Sequence, residues 1–168
     1  SCHAVKWTWS GIANVVGHEY AETFVRYLEA DGKDISWPLL FPMAKACVRG
    51  MDALQDYTKD AWKENAVEKF VLTGASKRGW TTWLTSAFDK RIIAFAPLVI
   101  DTLNMQDQMI HQMEAFGKPS EQIKDYVERK LVPLPPGDVA SGLWKGVDPF
   151  SYSERFKQPK LIVNGAND

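Results

Sequence analysis

Histidine, cysteine and any excess of positive charge are what this chain has little of. It carries three histidines and two cysteines in 168 residues. Cys2 and Cys47 could pair, but two cysteines do not build a disulfide framework. Cys47 falls on a predicted helix face with Met43 and Met51, which suits a plain apolar thiol. Scattered histidines and distant cysteines give no zinc-ligand spacing, so neither a metal nor a cofactor is expected. Lys and Arg number 20 against 21 Asp and Glu, a net charge of −1. That balance offers no basic field for nucleic acid and no polybasic tract for anionic lipid. No apolar run approaches the roughly 18 residues that would span a bilayer. The chain opens Ser1-Cys2-His3, without an initiator Met or an apolar leader core, so no signal peptide is read here. Internal repeats and low-complexity tracts are absent as well.

What is present is ordinary globular composition, 45% hydrophobic, in a length that suits one domain with a real core. Seven tryptophans are many for that length. They serve either as aromatic walls of a cleft or as core and rim packing.

The informative stretch is Phe70-Val71-Leu72-Thr73-Gly74-Ala75-Ser76-Lys77-Arg78-Gly79-Trp80. A short apolar run of strand formers ends at Gly74. From Ser76 onward apolar residues recur at helical spacing, at Trp80, Trp83, Leu84, Ala87 and Phe88. Strand, tight turn with serine at its apex, then helix is the layout of a nucleophile elbow, whose pattern is G-x-S-x-G. Gly74-Ala75-Ser76 fits, but Arg78 occupies the second glycine's place and Gly79 comes one residue late. Gly74 to Gly79 also has the spacing of a phosphate loop, yet Trp80 stands where that loop needs lysine. The dinucleotide fingerprint fails because position 76 is Ser rather than Gly. An ordinary strand-to-helix turn with an unreactive serine stays open.

Around this stretch the periodicity predicts a helix from Glu19 to about Ala30, stopped by Asp31-Gly32. A second helix opens at Ser36-Trp37-Pro38 or at Pro42 and carries a Met43/Cys47/Met51/Leu54 stripe. Asp60 to Glu68 reads as a polar connection. Residues 92–100 form a continuously apolar strand, with a bulge or break expected at Pro97. With the strand over 69–74 and the intervening helix they make one βαβ unit. Residues 101–150 read as an insertion. Met105, Met109, Met113 and Phe116 lie on its first helix, which ends at Gly117. Ser120 caps a second helix with Ile123, Tyr126, Val127 and Leu131, followed by a loop from Pro133 to Gly137. The methionine stripe serves either as core or as substrate surface. Leu161-Ile162-Val163 reads as a third strand. Residues 1–18 show no clean periodicity.

The run from Val71 to Trp83, centred on Ser76-Lys77-Arg78-Gly79-Trp80, resembles the elbow of the PhoPQ-activated pathogenicity-related proteins. The likeness continues through Asp89-Lys90-Arg91, 96–104 and 159–168, covering roughly residues 36–168. The resemblance implies an α/β-hydrolase-like fold, a parallel sheet with helices on both faces. Residues 1–168 would then be a single partial domain, an incomplete fragment of that fold, with 101–150 as a lid-like insertion. It also implies an exported protein, secreted or periplasmic, and for some relatives peptidase-like activity.

On that reading Ser76 is the nucleophile of a serine hydrolase that cleaves an ester or peptide bond. A serine hydroxyl needs a base within hydrogen-bond reach. Triads of this fold run Ser, then Asp or Glu, then His along the chain. Asp168, in the turn after 161–163, takes the usual place of the acid. Asp101, which follows the strand after the elbow, is the rival; its alternative role is to cap the insertion helix. The histidine is expected beyond residue 168, because none of His3, His18 and His111 follows Asp168. His111, in the insertion, reads as a lid or surface histidine. The Lys77 backbone N–H is expected in the oxyanion hole, and Lys77 and Arg78 suggest an anionic substrate group or an acidic partner. The expected partner is a small-molecule or peptide substrate, with no nucleic acid and no membrane span. Oligomeric state is not legible. The second reading is a secreted signalling or binding protein that keeps a hydrolase scaffold without turnover.

Overall fold

The computed structural model describes residues 16–63, 66–101 and 103–165, with side chains from Glu19 onward. Helix α1 spans Val16–Glu29. Asp31 and Gly32 both turn to positive φ at its end, as the Asp-Gly pair predicts. Helix α2 spans Leu40–Trp62. Neither Ser36 nor Pro42 opens it. Ser36 instead donates its N–H and hydroxyl to Asp34 Oδ1, which holds a turn before the helix. The polar connection expected over 60–68 is also shorter than read, because α2 runs to Trp62. Thr58 near its end is buried, and its hydroxyl accepts from the Val67 N–H at 3.0 Å. The polar residues around it are the solvent face of a helix.

Strand β1 (Phe70–Ala75) pairs in parallel with β2 (Ile92–Leu98), and α3 (Lys77–Phe88) is the crossover between them. This is the predicted βαβ unit. The irregularity expected at Pro97 lies elsewhere. Pro97 sits in register opposite Gly74, and the shift falls between Phe70 and Val71. Pro97 lacks an N–H, but its carbonyl accepts from Val163 N–H at 3.3 Å. The third strand is present only as bridges, Phe95 with Lys160 and Leu98 with Val163, both parallel.

Helices α4 (Met105–Phe116), α5 (Lys124–Glu128) and α6 (Asp138–Val147) follow, with a 3-10 turn at Glu121–Ile123 and another helix of that type at Pro149–Arg155. Ser120 caps as predicted, its hydroxyl accepting from Gln122 N–H at 3.2 Å.

Two cores result. One packs Trp83 of α3 against Phe95 of β2 and Phe156, with ring centroids 5.1 and 4.9 Å away, and seats α3 on the sheet. The other joins α1, helices α4 to α6 and Trp80. Phe24 is its hub, edge-on to Trp80, Tyr126 and Trp144 at 6.3, 5.9 and 5.6 Å. Helices α2 and α3 therefore lie on one side of the strands, while Val71 and Ile93 on the strands stay exposed. Helices on both faces were expected; the described residues cover one. No described helix is long and apolar enough to cross a membrane.

Candidate functional site

Ser76 is the single residue between β1 and α3, and its backbone is unusual. It holds φ 54°, ψ −127°, a region that a side-chain-bearing residue rarely adopts. Two hydrogen bonds fix it there. Ser76 N–H donates to Leu98 O at 2.9 Å, and Ser76 O accepts from Trp80 N–H at 3.0 Å. The residue is exposed, and its hydroxyl does not cap α3. The chain thus turns from strand into helix within one residue and presents the serine outward at the C-terminal edge of the sheet.

The glycines explain how so sharp a turn closes. A Cβ on Gly74 would lie 2.6 Å from Arg78 O and 3.0 Å from Arg78 Cβ. A Cβ on Gly79 would lie 2.4 Å from Ile100 Cγ2, 3.0 Å from Gly74 O and 3.1 Å from Leu98 O. Gly74 therefore makes the room that the Arg78 backbone and Cβ occupy. Gly79 is where the helix meets the ends of both strands, at Gly74 O and Leu98 O. The offset from G-x-S-x-G has a geometric reason: Arg78 points out and is exposed, so it needs no glycine.

Lys77 and Arg78 part company. Lys77 Nζ lies 5.4 Å over the Tyr20 ring, half-buried between α1 and the insertion. Burial pushes its ammonium below the ordinary lysine value, with the Asp125 charge pulling the other way. Burial raises the Tyr20 phenol beneath it, whose hydroxyl contacts Met43 Sδ. Arg78 has no ion-pair partner among the described residues. As the first residue of α3, Lys77 has a backbone N–H with no intrahelical acceptor, next to Ser76 in the chain.

Asp101 is exposed beyond the end of β2, and its Oδ2 accepts from Gln108 Nε2 at 3.4 Å. The capping alternative for Asp101 passes to a residue the sequence reading missed. Asp148 accepts from the Asn104, Met105 and Phe150 N–H groups at 3.2, 2.8 and 2.8 Å. It binds the start of α4 to the end of the insertion. Burial pushes its carboxyl up, against the three N–H groups that pull it down. The Asp-Pro-Phe start of a helical turn was the available signal. Asp168 lies outside the described residues. In the described part of its segment, Asn164 Oδ1 accepts from Ile100 N–H at 3.2 Å. Asn164 is thereby tied to the residue just before Asp101.

His111 is exposed on α4; the side chains of His3 and His18 lie outside the described residues. On α4, Met105 is buried and Met109 packs against the core, while Met113 and Phe116 are exposed. The stripe is thus core at one end and open at the other. Cys47 is a free, half-buried thiol, raised by burial. No group of three or more His, Cys, Asp or Glu among the described residues could hold a metal. An open groove of about 380 Å³ between α2 and α3 lies against Leu84, Thr85 and Phe88, toward the end of α3 remote from Ser76.

These features define a mixed α/β protein whose parallel β–turn–α unit presents an exposed serine at the sheet edge. Residues 17–168 match the PhoPQ-activated pathogenicity-related protein family, and the chain belongs to it. Over 132 residues it is 41% identical to autocrine proliferation repressor protein A of Dictyostelium discoideum, an overlap of 79% of this chain and 26% of that protein. The chain thus spans about a quarter of that relative's length. No solved structure matches it.

Proposed function

We propose that the full-length protein is a serine hydrolase of α/β-hydrolase type, with Ser76 as the nucleophile that attacks an ester or peptide carbonyl. The observation that carries this is the Ser76 backbone, held at φ 54°, ψ −127° between a parallel strand and its crossover helix. Such a conformation costs of order 1–3 kcal/mol and persists where the surrounding structure over-determines it. A nucleophile needs it, because it lifts the hydroxyl clear of both elements. The Lys77 N–H, at the positive end of α3, supplies one oxyanion donor.

A histidine takes the proton from Ser76 Oγ as the carbonyl is attacked and returns it to the leaving group. That histidine comes from the chain beyond residue 168, and Asp168 orients it, with Asp101 the rival. The part of the insertion that bears Met113 and Phe116 forms a cover for the substrate. Export of the protein belongs to the same proposal and rests on the family resemblance.

Hydrolysis of simple aryl esters tests it. Full-length protein cleaves them, and Ser76→Ala reduces the rate to background. A Ser76→Ala protein that cleaves at the wild-type rate rules the assignment out.

The second reading is a signalling or binding protein without turnover. It draws on the name of the Dictyostelium relative, which describes repression of proliferation. Ester cleavage that depends on Ser76 separates the two.

A further inference from the structure

We infer that Arg78 is a specificity-determining residue that binds a carboxylate of the substrate, so that the preferred substrate is an anionic ester or amide. This rests on the Ser76 reading above.

The argument starts from where the two cations go. Lys77 and Arg78 are adjacent in sequence, yet only one charge is presented. The Lys77 ammonium is drawn over Tyr20 at the α1 contact. Arg78 stays exposed, two residues after Ser76, and has no ion-pair partner among the described residues. Asp101, the nearby acid at the same sheet edge, has Oδ2 on Gln108 instead.

Arg78 also sits where local physics disfavours it. A cation in the first turn of a helix opposes the dipole. Its side chain is nonetheless held in solvent beside the serine turn, with no acid among the described residues to neutralise it. A residue that breaks a local rule two positions from a proposed nucleophile is expected to serve it. Guanidinium is the side chain suited to this task, because its planar fork matches a carboxylate with two parallel N–H donors. The dipole that Arg78 opposes in the free protein favours the same anion once it is bound.

The test separates binding from turnover. Full-length Ser76→Ala, which cannot acylate, is titrated calorimetrically with an aryl hemiglutarate and with the matched neutral aryl pentanoate. The half-ester is expected to bind about tenfold tighter, as a charge-assisted pair in a partly exposed site gives. Adding Arg78→Gln abolishes that preference, and Arg78→Lys restores part of it. The preference also shrinks as salt is raised toward about 1 M, a measurement that needs no second variant. Equal affinity for the two esters, no binding of the half-ester, or a preference that survives Arg78→Gln or high salt overturns the inference. Failure of the hydrolase reading shows separately, as wild-type protein that binds the half-ester through Arg78 and cleaves neither compound.

Discussion

Trp80 Nε1 donates to Val147 O at 2.6 Å, joining the first turn after Ser76 to the last residue of α6. Both partners are buried, so neither has water as an alternative. Helix α6 is therefore fastened to the serine turn itself. Trp80→Phe keeps most of the ring packing on Phe24 but leaves the Val147 carbonyl without this donor. It should cost about 1–3 kcal/mol. Urea unfolding measures the cost, and hydrogen exchange should quicken first in 138–147.

Position 79 tolerates no side chain, whereas position 78 tolerates many. A methyl at Gly79 meets Ile100 Cγ2 and two strand carbonyls at 3.1 Å or less, and backbone atoms cannot step aside. Gly79→Ala should destabilise by about 1–3 kcal/mol, as overpacking does. Arg78→Ala, at an exposed site, should stay within about 0.5 kcal/mol. Thermal melts of the two variants side by side check the contrast.

Arg91 gathers the acids at the far end of α3. It reaches Asp89 at 2.6 Å, Asp52 at 2.8 Å and Gln55 at 2.6 Å. Hydrogen bonding to Arg91 holds both carboxyls below the ordinary aspartate value. A depressed folded-state value means the stabilisation is full above the unfolded value of about 3.9 and fades as pH falls through the lower one. Wild type should thus lose stability below about pH 4 more steeply than Arg91→Gln. Denaturant midpoints across that range read it directly.

These residues also show what a one-dimensional reading reaches. The β–turn–α unit was legible because Phe70–Leu72 is apolar, Gly74 breaks it and Trp80, Trp83 and Leu84 recur at helical spacing. The α1 stop and the Ser120 cap were legible because Asp-Gly and Ser are local signals. The reason for Arg78 was not, since Gly79 meets Ile100 only after β2 returns alongside β1. The end of α2 was misread because the polar residues from Asp60 onward look like a connection, although the helix runs on to Trp62 with Thr58 buried just before them. Helix α6 was hidden by Gly142 and Gly146, and Asp148 by partners more than forty residues away in sequence.

The acid is a separate matter from the nucleophile. In the full-length protein Asp168→Asn should lower turnover by about 10⁴, the usual loss when a triad's orienting acid goes. Asp101→Asn should leave most of it. The reverse pattern in a kcat comparison hands the role to Asp101.

The most direct test of the account is covalent. Full-length protein treated with a fluorophosphonate should carry one adduct, and peptide mass spectrometry should place it on Ser76. Ser76→Ala should carry none while melting as wild type does. An adduct on another residue, or labelling that persists in folded Ser76→Ala, contradicts the assignment of Ser76 as nucleophile.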